Sequence, residues 1–343
     1  MRDPETQDIA RFLRKAATFF FCPLIAWLPF GLLFHQQLLE NAKGPSVEKQ
    51  IRMSFENAAS RDFELLMLGN SRIYRGLNPD RFSMPACNFS HDDDSFNQMY
   101  YKLKWLDDHG KSFRYLIAGV DFFQFSFHSD RRNYVYSTLL DDAYAADFPA
   151  LPFWHKRRWV RPGLFRGLNP KHLFASSEGR PFFKANGQYI MPGTASATDT
   201  VQRSTERLPL QVKYFEKMLQ HCRERNITVF LCLLPIRPEE QRVYDRQQLA
   251  EFMNFLRHYE SRDTIVVDCT FDSGYTMADY TDITHLNERA ADRFSEQLDD
   301  TLQDMILQRE RATDVAAEHD SENTVPVRTA GYGTELEPQH STN

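Results

Sequence analysis

Two short polar segments interrupt a mostly apolar and amphipathic pattern, and both carry residue types suited to acyl transfer. Gly69-Asn70-Ser71-Arg72 follows the apolar run Phe63 to Leu68. Its glycine permits a tight exit, and its serine falls near the start of the next element, where free backbone N–H groups can face a reacting oxygen. Asp282-Ile283-Thr284-His285 stands just before the last helical pattern. A carboxylate three residues ahead of a histidine can hold one imidazole nitrogen while the other faces a hydroxyl, as a serine nucleophile requires. Each segment alone has an ordinary explanation: a serine after a strand is commonly a turn residue, and a DxxH is commonly a helix cap beside a surface histidine.

A third polar stretch, His91-Asp92-Asp93-Asp94, offers metal-ligand types. Adjacent positions rarely point at one ion, so the simpler expectation is a solvated loop in which Asp94 or Ser95 caps the next helix, with no metal and no cofactor. Asn88-Phe89-Ser90 and Asn226-Ile227-Thr228 match glycosylation sequons but sit at or beside expected strands and are read as incidental.

The elements that must position these residues alternate between strand and helix. Phe63 to Leu68, Ala86 to Phe89, Tyr115 to Val120, Ile227 to Leu234 and Thr264 to Cys269 are short apolar runs that suit buried strands. Between and after them, helical spacing appears over Phe96 to Leu106, Leu208 to Arg225, Glu239 to Tyr259 and Asn287 to Leu307. Alternation at these lengths implies a parallel sheet covered on both faces, with its site beyond the carboxyl ends of the strands. Both polar segments fall at such ends.

In this order and placement the two segments resemble the SGNH/GDSL hydrolase superfamily. Gly69-Asn70-Ser71-Arg72, Gly119-Val120-Asp121-Phe122-Phe123 and Tyr280-Thr281-Asp282-Ile283-Thr284-His285-Leu286 look like the membrane-anchored branch associated with modifying surface polysaccharides and teichoic acids. The resemblance covers roughly Phe63 to Leu307, with a large interruption. It implies a three-layer α/β fold, flavodoxin-like, with helices on both faces of a parallel sheet. It also implies a nucleophile at Ser71, a general base at His285 and an orienting carboxylate at Asp282. Gly69, Asn70, Arg72, Asp93 and Asp121 fall where the family places oxyanion or substrate contacts. Two departures matter: the second block, Asn88 to Ser95, has no glycine, and Asp121 stands where an asparagine donor is usual. An ionised aspartate accepts hydrogen bonds and repels an oxyanion. The resemblance therefore leaves two outcomes open: an esterase or O-acyltransferase with a variant oxyanion hole, or a non-catalytic binding or assembly component of an envelope polymer system. An acylated glycan or acyl donor is the implied ligand, and a membrane-bound acyltransferase is a partner the resemblance allows.

The rest of the chain sets the location. No charged residue occurs between Lys15 and Glu40, and residues 16–39 read as a transmembrane anchor into the lipid bilayer. Arg11, Arg14 and Lys15 precede it, which places residues 1–15 in the cytoplasm. The domain over residues 46–308 is then extracytoplasmic, that is periplasmic, on a single-pass protein of the inner or cytoplasmic membrane. An insertion at about 128–206 fits no strand-helix alternation. Within it, Leu151 to Ser177 lacks Asp and Glu while basic residues, including Arg157, Arg158 and Arg161, alternate with aromatics such as Trp159. That composition suits a membrane interface or an anionic glycan, and equally a solvated insertion whose aromatics pack on the parent domain. Residues 309–343 read as a disordered acidic tail, too poor in apolar residues to offset their ordering entropy. With Lys plus Arg at 41 against 47 Asp plus Glu, the net charge of -6 offers no footprint for nucleic acid. The five cysteines show no CxxC or paired spacing, which argues against a zinc ribbon or a thioredoxin-type site.

Overall fold

Short apolar runs that are polar on neither face are what a sheet covered on both sides requires. In the computed structural model, which describes residues 4–43, 45–129, 132–147, 182–195 and 203–323, these runs become strands. They are β1 (Leu65–Leu68), β2 (Ala86–Asn88), β3 (Tyr115–Gly119), β4 (Phe182–Phe183), β5 (Tyr189–Ile190), β6 (Thr228–Leu233) and β7 (Thr264–Asp268). Five of them form one parallel sheet in the order β2-β1-β3-β6-β7. In its register Leu66 lies opposite Leu116, and Val229 opposite Thr264.

The principal helices are α1 (Pro4–Lys43), α2 (Val47–Ser60), α3 (Ser71–Gly76), α4 (Phe96–Asp108), α5 (Pro209–Glu224), α6 (Arg246–Arg257) and α7 (Glu288–Asn323). Side chains alternate across a strand. Leu66, Leu68, Leu116, Ala118, Val229 and Leu231 therefore point one way and pack with Phe55 of α2, Phe96 and Leu103 of α4, Phe215 and Met218 of α5 and Phe252 of α6. Leu65, Met67, Ile117 and Phe230, equally buried, point the other way. Each such side chain contributes roughly 1.5–3 kcal/mol by leaving water.

The carboxyl ends of β1 and β3 approach closely because Gly69 follows β1 and Gly119 ends β3. A Cβ on Gly69 would lie 2.4 Å from Ile73 Cγ1, and one on Gly119 would lie 2.5 Å from the same atom. Only bare backbone lets α3 sit down on these strand ends. At the outer edge of the sheet, the turn joining β4 to β5 presents Asn186 O to the N–H of Asn88 at 3.3 Å. Gly187 has φ +96°, and a Cβ there would lie 2.0 Å from Asn88 O. This hairpin, inside the segment expected to be irregular, protects an edge that would otherwise be open to pairing.

Several boundaries differ from the sequence reading. Helix α2 was not anticipated; Ser46 caps it, accepting from Lys49 N–H. The single helix expected from Glu239 to Tyr259 is two, Pro238–Gln241 and α6, because Asp245 accepts from Gln247 N–H and starts a new helix. The chain divides into two units, Met1–Gln297 and Leu298–Asn343. The tail expected to be disordered from residue 309 is corrected in its first part: α7 continues to Asn323, since Ala, Glu and Arg favour helix without needing apolar burial. Residues 324–343 lie outside the described residues, as does Leu151 to Ser177 with Arg157, Arg158, Trp159 and Arg161.

The expected anchor over 16–39 lies inside α1, which runs unbroken through Pro23 and Pro29. Phe19, Phe20, Phe21, Ile25, Leu28 and Leu33 are exposed on it. The structure nonetheless does not supply the expected transmembrane helix: among the described residues no helix is long and apolar enough to cross a membrane. The side chains of Leu24, Leu32 and residues 35–43 lie outside the described residues. What remains falls short of the roughly 20 consecutive apolar residues that ~30 Å of hydrocarbon demands.

Candidate active site

Strand β1 ends at Leu68, and Asn70 turns the chain into α3 by accepting the N–H of Arg72 on its side-chain oxygen at 2.8 Å. Ser71 is thus the first residue of α3. Its position is the carboxyl end of β1, between β2 on one side and β3 on the other, where successive strands are added in opposite directions and a crevice opens.

The opposing wall comes from the segment before α7. Tyr280 and Leu286 pair as an isolated antiparallel bridge, and Thr281 N–H donates to His285 O at 2.8 Å. Residues 281–285 are thereby closed into a tight loop, which the Tyr280 hydroxyl anchors to Pro235 O at 3.0 Å. Within it Asp282 Oδ1 accepts the N–H groups of Thr284 at 2.9 Å and His285 at 3.0 Å. The same carboxylate faces His285 Nδ1 at 2.8 and 2.7 Å. His285 Nε2 lies 2.8 Å from Ser71 Oγ. Two carboxylate oxygens at Nδ1 fix the proton there, so Nε2 is the open acceptor and the serine hydroxyl donates to it.

Electrostatics favour that arrangement. Burial holds His285 below the ordinary imidazole range; its bond to Asp282 acts upward and the charge of Arg75 downward. Burial pushes Asp282 up, but its bond to His285, the histidine's charge and the two backbone N–H groups outweigh this and hold it well below the usual carboxylate range. The pair therefore rests as carboxylate and neutral imidazole.

The other residues singled out from the sequence divide sharply. Gly69 serves the close strand-helix contact. Asn70 donates through Nδ2 to Asp121 Oδ2 at 3.1 Å and Gln124 Oε1 at 2.5 Å. Arg72 is buried; it pairs with Asp121 Oδ1 and donates to Leu234 O at 3.0 Å and Pro235 O at 2.6 Å. The charges of Asp121 and Arg72 therefore offset one another, and both side chains are buried in this pairing. Their place is under α3, tying it to the loops after β3 and β6.

Asp93 lines the cavity beside Ser71. Its φ of +59° is the left-handed conformation a glycine would adopt there freely, so the backbone bend survives without the glycine. The loop around it is less solvated than expected. His91 and Asp94 are buried, and Asp94 accepts from Lys102 Nζ at 2.6 Å and the Tyr136 hydroxyl at 2.5 Å. Ser95, with Gln98, caps α4. No group of three or more His, Cys, Asp or Glu side chains that could hold a metal ion occurs among the described residues.

A cavity of about 510 Å³ opens from Ser71 and Asp93 and is walled by Phe123, Phe127, Ser126, Ser129, Arg203 and Ser204. It is large enough for an acyl group and part of a sugar. Phe123 belongs to the Gly119 to Phe123 block, whereas Arg203 and Ser204 were not legible beforehand, because they reach the site from the far end of the insertion. Arg75 also escaped notice, although its position four residues after Ser71 in a helix places the two on one face.

Residues 189–307 match the model of an uncharacterised family. That span holds Asp282 and His285 but not Ser71. No curated protein matches the chain.

Proposed function

We propose that the protein is a membrane-anchored, extracytoplasmic esterase or O-acyltransferase of SGNH type that moves an acyl group to or from an envelope or exported glycan. The observation that carries this reading is the continuous contact from Asp282 through His285 to Ser71 at the carboxyl end of β1, facing a cavity. The sheet order supports it, since counting the five sheet strands alone gives 2-1-3-4-5, the flavodoxin-like order. The anchor rests on the uncharged stretch between Lys15 and Glu40 with its basic N-terminal flank.

In this mechanism Ser71 Oγ attacks the acyl carbonyl as His285 Nε2 takes its proton. The bond from the carbonyl carbon to the leaving alcohol then breaks, His285 returns the proton to that alcohol, and the acyl group remains on Ser71. Water or a sugar hydroxyl repeats the sequence in the second half, its proton passing to His285 and then to Ser71. Asp282 stays ionised throughout and stabilises the transient imidazolium. The backbone N–H groups of Ser71 and Asp93 are the oxyanion donors this reading uses.

One observation favours the second reading, a non-catalytic binding or assembly component. The side-chain amides of Asn70 and Gln124, which could have donated to an oxyanion, are instead committed to Asp121, to Asp94 O and to one another. A serine-directed fluorophosphonate and a chromogenic acetyl ester separate the two. Labelling confined to Ser71, with turnover lost in Ser71→Ala and His285→Ala, is the expected result. A folded protein that neither labels nor turns over the ester belongs to the second class.

A further inference from the structure

The acyl-transfer reading uses Ser71, His285 and Asp282 and leaves unexplained the cation held against them. Arg75 has a side chain only 11% exposed. Its Nη1 lies 3.0 Å from His285 Nδ1 and 3.8 Å from Asp282 Oδ2. Its Nη2 donates to Asp92 Oδ1 at 2.8 Å. The guanidinium also lies 5.7 Å from the centroid of the Tyr189 ring on β5. Because Nδ1 carries the proton that Asp282 receives, Nη1 and Nδ1 are two donors converging on one carboxylate rather than a donor and its acceptor.

The charges around this point balance. Arg132 Nη2 lies 3.8 Å from Asp92 Oδ2 and 3.7 Å from Asp93 Oδ2. Thr284 Oγ1, uncharged, is 3.4 Å from Nδ1. Asp92, Asp93 and Asp282 therefore face two guanidinium groups, which leaves one net negative charge while His285 is neutral and none once it is protonated. An imidazolium formed in the reaction is met by that remaining charge. In the resting site, by contrast, a second cation close to Nδ1 disfavours a protonated imidazole.

We propose that Arg75 is a positioning residue, resting on the acyl-transfer reading of the site. It joins the helix that bears Ser71, the Asp92 loop after β2 and the Asp282–His285 loop, holds the Asp282 carboxylate against Nδ1, and opposes protonation of His285. Nε2 thereby stays an open acceptor for the Ser71 hydroxyl. Geometry gives the joining role, since one fork reaches two loops from the nucleophile's own helix. The direction of the electrostatic effect agrees: after burial and the opposing bond to Asp282, Arg75 is the next influence on His285 and acts downward.

The test follows His285 directly. In full-length protein with isotope-labelled histidine, the His285 ring resonances, identified by their loss in His285→Gln, are followed against pH in wild type, Arg75→Met and Arg75→Lys. Arg75→Met should raise the proton affinity of His285 about threefold or more, the direction expected when a nearby like charge is removed. It should also lower kcat about tenfold with KM within about twofold, as loss of transition-state alignment does. Arg75→Lys should keep the titration near wild type yet not restore kcat, because a single ammonium cannot fork between Asp92 and Asp282. A His285 titration unchanged in Arg75→Met, with an unchanged thermal melt, overturns the inference. If Arg75→Met does not fold, Arg75→Gln, which still donates to Asp92, gives the same decision. The titration needs no turnover, so an inert protein whose His285 responds to Arg75 keeps the electrostatic and joining role of Arg75 and sinks the ester chemistry. An active protein whose His285 ignores Arg75 does the reverse.

Discussion

A neutral imidazole is the only form of His285 that can take the Ser71 proton, and burial favours that form. On the proposed mechanism, lowering pH should inactivate the site by protonating His285, and a depressed folded-state value moves that event to lower pH. The acid limb of kcat/KM should therefore have its midpoint below about 6.5, the ordinary imidazole value; a midpoint above it would contradict the electrostatics described. Asp282→Asn should cost a factor of about 10² to 10⁴ in kcat, because the amide no longer fixes the proton on Nδ1. Ser71, Asp282 and His285 were legible because residue type and local spacing imply their chemistry. The pairing of Arg72 with Asp121 was not legible because it joins segments far apart in the chain, and no local pattern shows that the two charges meet.

At the scale of elements, placement of the nucleophile depends on two glycines and one isoleucine. A Cβ on Gly119 would lie 2.5 Å from Ile73 Cγ1 and 3.2 Å from Ile73 Cδ1. Gly119→Ala should destabilise by about 1–3 kcal/mol through overpacking and lift α3, reducing activity as Ser71 leaves His285. Adding Ile73→Ala removes both clashing atoms, so the double variant should be less impaired than the sum of the two single changes, because the residues touch. Denaturant midpoints of the four proteins check this; strict additivity would mean that α3 is not seated on Gly119. The strands were legible as short apolar runs, whereas the break before α6 depended on a single capping aspartate, Asp245, within a continuous amphipathic pattern. The β4–β5 hairpin left no periodic signal, being two residues per strand, and is held by Asn186 and Gly187 against Asn88.

For the molecule as a whole, the proposed anchor rests on the basic flank before an uncharged segment, and that reading expects the α/β domain outside the cytoplasm. A reporter that functions only beyond the membrane, fused at the C-terminal end, should be active, and a matching cytoplasm-only reporter should be silent. The opposite pattern would remove the anchor and the envelope glycan from the proposed function together, while leaving the Ser71 site untouched. The exposed Phe19, Phe20, Phe21 and Leu33 of α1 fit the anchoring reading. The site itself gathers segments from across the first unit: β1 and α3 give Ser71 and Arg75, the loop after β2 gives Asp92 and Asp93, and the loop before α7 gives Asp282 and His285.

By itself the sequence determined the alternation of strand and helix, the polar ends where chemistry could sit, and the serine, histidine and carboxylate that the structure brings into contact. Those features are local: periodicity sets the element, and three residues of spacing set the carboxylate beside the imidazole. Only the tertiary structure decided which polar side chains were consumed in holding the fold, since Asp121 meets Arg72 and Asp94 meets Lys102 through folding. It also decided that Asp93 bends the backbone where a glycine was missing, and that Arg75 lies between two carboxylates and the His285 imidazole. Charges act through space over a few ångströms, and which charges come that close is fixed by the packing of the sheet and its loops rather than by their order along the chain.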